Sequence, residues 1–366
     1  MTVKKLAILI GIFVFVFVGI SLAQNAHSQK KFSRLIAPHT SVLKKIEYRL
    51  KGCKIVHELK DAIALSCPSE VKIEDAFEDE VYHIMDLSAD QQINADDVWA
   101  LGYTGKNVTV AVLDTGIDYN HPELNSSFSG CKSFVSYTQN CFDDNGHGTH
   151  VSGIITADGI NTNAKGVAPD AQIWMAKVCD ASGSCYVSDI AAAIEEVVNN
   201  KIAKVINISL GGGGTNKSNC DKDYLAQKVN WAVDNGVTVV AASGNTAGKV
   251  SSPACASKAI AVGAVDKSDK RANFSGSGLA LDIMAPGVSI YSTLPQNSYA
   301  SWSGTSMATP HVAGTIALLL EKNSSLSDAD IKTALYKTAK DLGIAGWDRY
   351  YGWGRMDALG AINYVK

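Results

Sequence analysis

The chain has little charge, little proline and, beyond its first two dozen residues, no long apolar run. Asp, Glu, Lys and Arg make up 19% of the 366 residues, and the formal net charge is −3. A nucleic-acid binder carries a strongly basic face, so that class is excluded as a partner. Disorder and coiled coil are excluded too, because 46% of the residues are hydrophobic and glycine and proline are not in excess. No Cys-x-x-Cys spacing occurs, which removes the usual zinc frame. No internal repeat, low-complexity tract or long linker interrupts the chain.

What is present is unevenly placed. Residues 1–60 hold 11 Lys/Arg against 2 Asp/Glu, whereas residues 61–100 hold 1 against 11. The first hundred residues are therefore a different object from the rest. Lys4 and Lys5 precede an uncharged apolar run from Leu6 to Ala23 that ends in small residues. These are the marks of a secretory signal peptide over residues 1–23, with a membrane anchor as the alternative reading. An exported protein with no membrane contact after cleavage is expected. In an oxidising compartment the even set of eight cysteines reads as disulfides. Neighbours in sequence are favoured: Cys53 with Cys67, Cys131 with Cys141, Cys179 with Cys185, and Cys220 with Cys255.

Residues 24–88 form the next segment, and within it residues 41–84 read as a small α+β unit. Lys54–Leu59 and Ala62–Ser66 predict a hairpin, Val71–Phe77 a helix and Val81–Ile84 a strand. About 45 residues bury too little core to stand alone, so a bridge or a partner surface is needed. From residue 89 onward one domain is expected. Val108–Leu113, Ile173–Val178, Val205–Leu210, Val237–Ala242 and Ile260–Val265 read as buried strands. Helices are expected at His147–Ala157, Val187–Asn199, Tyr224–Asn235, Ser306–Leu320, Asp328–Thr338 and Met356–Tyr364. That alternation predicts an α/β fold, a doubly wound and mostly parallel sheet covered on both faces.

Four points carry chemistry. Asp114 closes an apolar strand before a glycine turn, at the sheet edge where open α/β folds hold their ligands; it either acts there or caps the turn. His147 and His150 lie on one face of a helix start. They are either a metal pair or a general base with a packed structural neighbour. Asn245 follows Ala242-Ser243-Gly244 beyond a strand, where an amide either donates to an oxyanion or merely forms the turn. Ser306 opens an apolar helix, where it either merely caps the helix or acts where free N–H groups and the positive dipole end favour negative charge beside its oxygen. Pro310 is expected in the first turn, where a missing N–H costs nothing.

Together the segments around Asp114, His147 and Ser306 resemble the subtilisin-like serine proteases from about Tyr103 to Gly360. The order Asp, His, Ser along the chain is that family's. The resemblance implies a three-layer peptidase domain over residues 89–366, preceded by an inhibitor-like propeptide. Ser306 would be the nucleophile of a covalent mechanism, His147 its base, Asp114 the orienting carboxylate and Asn245 an oxyanion donor. Ser209, Leu210 and Gly211 would line one side of an extended polypeptide substrate and Ser182, Gly183 and Ser184 the other, with Ala242, Ser243 and Gly244 under its P1 residue. The Cys179–Cys185 bridge would stiffen one edge. No cofactor is required for this chemistry. A structural calcium is implied in many relatives, and the weak candidates here are Glu123, Asp158 and Asn161, with a spacing that departs from the family pattern. Two other readings are a binding module on the same fold and a metallohydrolase using His147 and His150. Six Asn-x-Ser/Thr triplets occur, one of them at Asn207 inside an expected strand.

Overall fold

The structure, a computed structural model, describes residues 32–38, 41–59, 62–78 and 89–366. It divides into two compact units, residues 1–85 and 86–366. In the first, strand β1 (Phe32–Pro38), helix α1 (Val42–Leu50) and strands β2 (Lys54–Glu58), β3 (Ala62–Pro68) and β4 (Phe77–Glu78) build a sheet of order β2-β3-β1-β4. The expected hairpin forms, with Lys54 opposite Ser66 and Ile55 opposite Leu65. The expected helix over Val71–Phe77 does not. Val71 N–H closes a turn on the Pro68 carbonyl, Asp75 takes a left-handed φ of 59°, and Phe77 joins β1 instead. β-branched Val71 and Ile73 resist a helix; the helix of this unit is α1, which carried no expectation. The expected strand at Val81–Ile84 lies outside the described residues. The core is small, with Ala37, Tyr48, Cys53, Ile63, Leu65 and Cys67 buried, and the Cys53–Cys67 bridge runs through it.

The second unit begins with α2 (Ala89–Gln92) and α3 (Ala95–Ala100), then β5 (Thr109–Asp114), β6 (Phe128–Ser133), α4 (His147–Thr156), β7 (Gln172–Lys177) and α5 (Val187–Asn199). It continues with β8 (Val205–Ile208), β9 (Gly212–Thr215), α6 (Tyr224–Asp234), β10 (Thr238–Ala242), β11 (Val250–Ser252), β12 (Ile260–Val265) and β13 (Ile283–Pro286). A hairpin of β14 (Ile290–Leu294) and β15 (Ser298–Trp302) leads into α7 (Thr305–Lys322), α8 (Asp328–Thr338) and α9 (Ala358–Tyr364). Seven strands pair in parallel in the order β13-β12-β10-β8-β5-β7-β6. Alternation sorts their side chains between two cores. Val110 and Val112 point to the face covered by α4 and α7, whereas Ala111 and Leu113 point to that covered by α5 and α6. The fold is a three-layer α/β sheet. Two of its strands, β6 and β13, carried no expectation: β6 is half exposed at an edge and β13 spans only four residues.

All four expected cysteine pairs are bridged. Pro310 is corrected by the structure: α7 starts at Thr305, so the proline lies inside the helix rather than in its first turn. Its ring leaves the Ser306 carbonyl without the usual helical donor. The Ser209 hydroxyl donates to that carbonyl instead, at 2.9 Å.

Glycine decides how closely α4 can approach the turn after β5. A Cβ on Gly148 would stand 2.1 Å from the Gly116 carbonyl oxygen and 3.1 Å from Asp114 Cβ. Helix propensity alone favours alanine over glycine by about 1 kcal/mol, but overpacking costs about 1–3 kcal/mol. Gly148→Ala should therefore lower stability in urea unfolding, and a variant as stable as wild type would refute this close approach.

Candidate active site

β5 ends at the carboxyl edge of the sheet, and its last residue, Asp114, is 1% exposed. A carboxylate so deeply placed needs donors. Thr115 N–H donates to Oδ1 at 2.8 Å, and His147 Nδ1 lies 2.7 Å from the same oxygen. With Nδ1 bound to the carboxylate, Nε2 is left as the ring's accepting nitrogen. Burial opposes charge on this imidazole, but the Asp114 charge and hydrogen bond, with Asp143 behind, hold it above its ordinary value.

Asp143 was not among the expected site residues, although it stands in the same motif. It is buried and accepts from Thr115 Oγ1, Asn145 N–H and Gly146 N–H at one oxygen and from Thr149 N–H and Oγ1 at the other. It thus ties the start of α4 to the turn that carries Asp114. Lys177, also unforeseen, is wholly buried; its ammonium donates to the Thr115 carbonyl and to Asp144 Oδ1. Neither could be singled out from sequence, because a lone charged residue near a motif usually faces solvent.

His150 separates from His147 in role. Its Nε2 lies 3.0 Å from the Ala300 carbonyl, and its ring stacks on the Trp302 indole at 4.7 Å. Burial pushes its pKa down to about 4. It is a packed neutral histidine, the second of the two readings open from sequence. Among the described residues no group of three His, Cys, Asp or Glu side chains is placed to hold a metal ion.

Ser306 is the second residue of α7 and is half-buried. Its hydroxyl donates to the Ser209 carbonyl at 2.8 Å, so in this state its proton points to the neighbouring strand. Asn245 is oriented unambiguously: its Oδ1 accepts from Thr305 N–H at 2.9 Å and from Thr305 Oγ1 at 3.0 Å, which leaves Nδ2 as the group available to donate. His147, Asn245 and Ser306 line one cavity of about 370 Å³ together with Ser301, Trp302, Ser303, Gly304 and Met307. Trp302 stacks with His147 as well, at 6.3 Å, and was missed because nothing in its immediate sequence marks it.

The remaining expected residues lie outside this cavity. Ser182, Gly183 and Ser184 are exposed on a tight turn closed by the Cys179–Cys185 bridge, and Asp180 Oδ1 accepts from the Ser182 and Ser184 N–H groups. Asn145 joins that turn to the histidine: its Nδ2 donates to the Ala181 carbonyl and its Oδ1 accepts from His147 N–H. Ser209, Ala242 and Ser243 are buried, Leu210 and Gly244 half-buried, and Gly211 exposed.

The calcium candidates do not fit a cation. Glu123 is fully buried and accepts the N–H groups of Gly159, Ile160 and Asn161, at 2.7, 3.0 and 2.6 Å, with Tyr299 OH at 3.1 Å. Its charge is thus met by amide donors, which a metal would have to displace. Asp158 takes the Ser126 hydroxyl, and Asn161 Oδ1 takes the Asn163 N–H.

A buried carboxylate on an imidazole, facing a helix-start serine on a parallel α/β sheet, belongs to the serine endopeptidases. Residues 105–354 match the model of the subtilase family, Peptidase_S8, and the chain belongs to that family. It is 48% identical to subtilisin Savinase of Lederbergia lenta over 261 residues, 71% of this chain and 92% of that protein. It is equally similar to an alkaline protease of Alkalihalobacillus alcalophilus, of which 65% is covered. With subtilisin J of Geobacillus stearothermophilus the identity is 38%, across 96% of this chain and 95% of the relative.

Two buried histidines give stability a pH dependence. His150 and His311 are both pushed by burial from 6.5 down to about 4. Between those values the unfolded chain binds protons that the folded one refuses, so stability falls as pH drops from 6.5 towards 4. Each ring adds to that slope, since each refuses up to one proton that the unfolded chain binds. His147 runs the other way, stabilising below the ordinary value and losing that contribution as pH rises through its raised one. Urea unfolding across this range should show the acid decline, and His150→Gln should make it shallower, with the His311 contribution remaining; an equally steep profile in the variant would contradict the assignment.

Proposed function

We propose that this subtilase cleaves polypeptides through Ser306, His147 and Asp114, and that it is exported as a self-processing zymogen. The observation that carries the reading is the 2.7 Å contact between His147 Nδ1 and Asp114 beside a cavity that also holds Ser306 and Asn245. Rotation of the Ser306 side chain from the Ser209 carbonyl towards His147 Nε2 lets the ring take its proton as Oγ attacks the scissile carbonyl. The imidazolium that forms is stabilised by Asp114 and then protonates the departing amine. Water, activated by the same ring, releases the acyl group. Asn245 Nδ2 and the Ser306 N–H, free at the start of α7, receive the oxyanion.

The substrate lies extended between the Ser209–Gly211 segment and the Ser182–Ser184 turn, as an added strand. Ala242, Ser243 and Gly244 underlie its P1 residue, and none of them is charged. Residues 1–23 direct export, consistent with eight cysteines that are all paired. Residues 24–88 serve as propeptide and intramolecular inhibitor. Their small bridged core suits a unit that depends on a partner, and the similarity to subtilisin J extends over 96% of this chain. The mature enzyme begins within Asp86–Gln91. Side chains and one backbone N–H supply the chemistry, which requires no cofactor.

Expression of residues 24–366 tests both claims at once. The wild-type chain should acquire a new N-terminus in the stated window. Ser306→Ala should stay full length and lose nearly all peptidase activity, keeping at most about 10³–10⁴-fold over water, as in subtilisin, where that residue's loss has been measured. An uncut but active wild-type chain would sink the propeptide reading, and an active alanine variant the nucleophile.

A peptide library addresses the pocket. Apolar and mid-sized P1 side chains should be cut fastest, with broad tolerance, since none of Ala242, Ser243 and Gly244 carries a carboxylate to pair with Lys or Arg. A strict basic preference at P1 would overturn this assignment of the pocket floor.

A further inference from the structure

Pro310 leaves a gap in the hydrogen bonding of α7 at one place, the carbonyl of Ser306, which a residue with an N–H at position 310 would have satisfied. The Ser209 hydroxyl fills that gap from another element. Ser209 is 1% exposed, and its oxygen is itself held: Asn207, fully buried, donates Nδ2 to it at 3.0 Å. With its lone pair engaged by Asn207, the Ser209 hydroxyl has its proton left for the Ser306 carbonyl. The return contact is the Ser306 hydroxyl on the Ser209 carbonyl. Two serines thus clasp each other, main chain to side chain in both directions.

We infer that Ser209, oriented by Asn207, is a positioning residue for Ser306, replacing the helix bond that Pro310 cannot make. The arrangement pins the first turn of α7, and with it the N–H and Cα of Ser306, to the end of β8 in the sheet. It also gives Asn207 a structural task, which its complete burial reserves for the interior despite its Asn-x-Ser triplet. The inference rests on the reading of Ser306 as nucleophile.

A double-mutant cycle tests it on the full chain, with steady-state kinetics on a peptide substrate. Ser209→Ala should lower kcat by about tenfold to a hundredfold, the scale of a small misplacement of a reacting atom, with KM within about twofold. In a Pro310→Ala background the same change should cost less than about twofold, because the new N–H supplies the missing donor. Ser209→Thr, which keeps the hydroxyl, should retain most of the rate, and it decides the matter if Pro310→Ala proves inactive. An unchanged kcat in Ser209→Ala, an equal loss in both backgrounds, or a change confined to KM would overturn the proposal. A dispensable Ser209 would leave the nucleophile standing, because that assignment falls only with an active Ser306→Ala.

Discussion

The contact between His147 and Asp114 sets the terms for the rest of the second unit. A carboxylate that is 1% exposed is tolerable only with donors aimed at it, and one of those donors comes from a helix 33 residues further along the chain. To bring the helix in, the backbone of α4 must touch the turn after β5. Gly148 and Gly116 allow it, the latter at φ 119° with its Cβ position only 2.5 Å from the Cys141 carbonyl. Asp143 and Lys177 then hold the two segments together from behind, one as acceptor and one as donor. Asp114, Asp143 and Lys177 each meet partners in a neighbouring segment, so these buried charges are fully answered only when those segments come together.

The serine side of the cavity is built by a different device. α7 is buried along almost its whole length, so its depth is set by apolar packing against the sheet, while its first turn is set by polar contacts. Thr305 is gripped by Asn245 and Ser306 by Ser209, each from a strand end. Three disulfides close loops within this unit. The bridges span 10, 6 and 35 residues, and in the chain-entropy account the longest loop restrains the unfolded chain most. The shortest of these loops shapes the turn that Asn145 links to His147, so that turn and the histidine are one connected piece.

Much of this was legible in the chain because it rests on local rules. Apolar runs bounded by turn residues marked five of the seven central strands, and the 3.6-residue pattern marked the helices beside them. Disulfide partners followed from neighbourhood, and Asp114, His147, Asn245 and Ser306 stood out through their places at strand ends and helix starts. The local rules failed where the signal was short or shared. β13 has four residues, β6 a half-exposed edge, and the segment at Val71–Phe77 has apolar spacing that a strand and turn use equally well.

By itself, then, the sequence determined the alternation of strands and helices and marked the candidate site residues, since each depends on residues close together in the chain; it favoured neighbouring cysteines as partners without fixing their pairing. Only the tertiary structure decided that His150 is packed and neutral, that Glu123 is answered by amides, that Trp302 walls the cavity and that Ser209 makes good the bond Pro310 cannot form. Each of these is a contact between segments tens to hundreds of residues apart. Burial and hydrogen-bond satisfaction are properties of what surrounds an atom, and no spacing along the chain encodes that for a single residue.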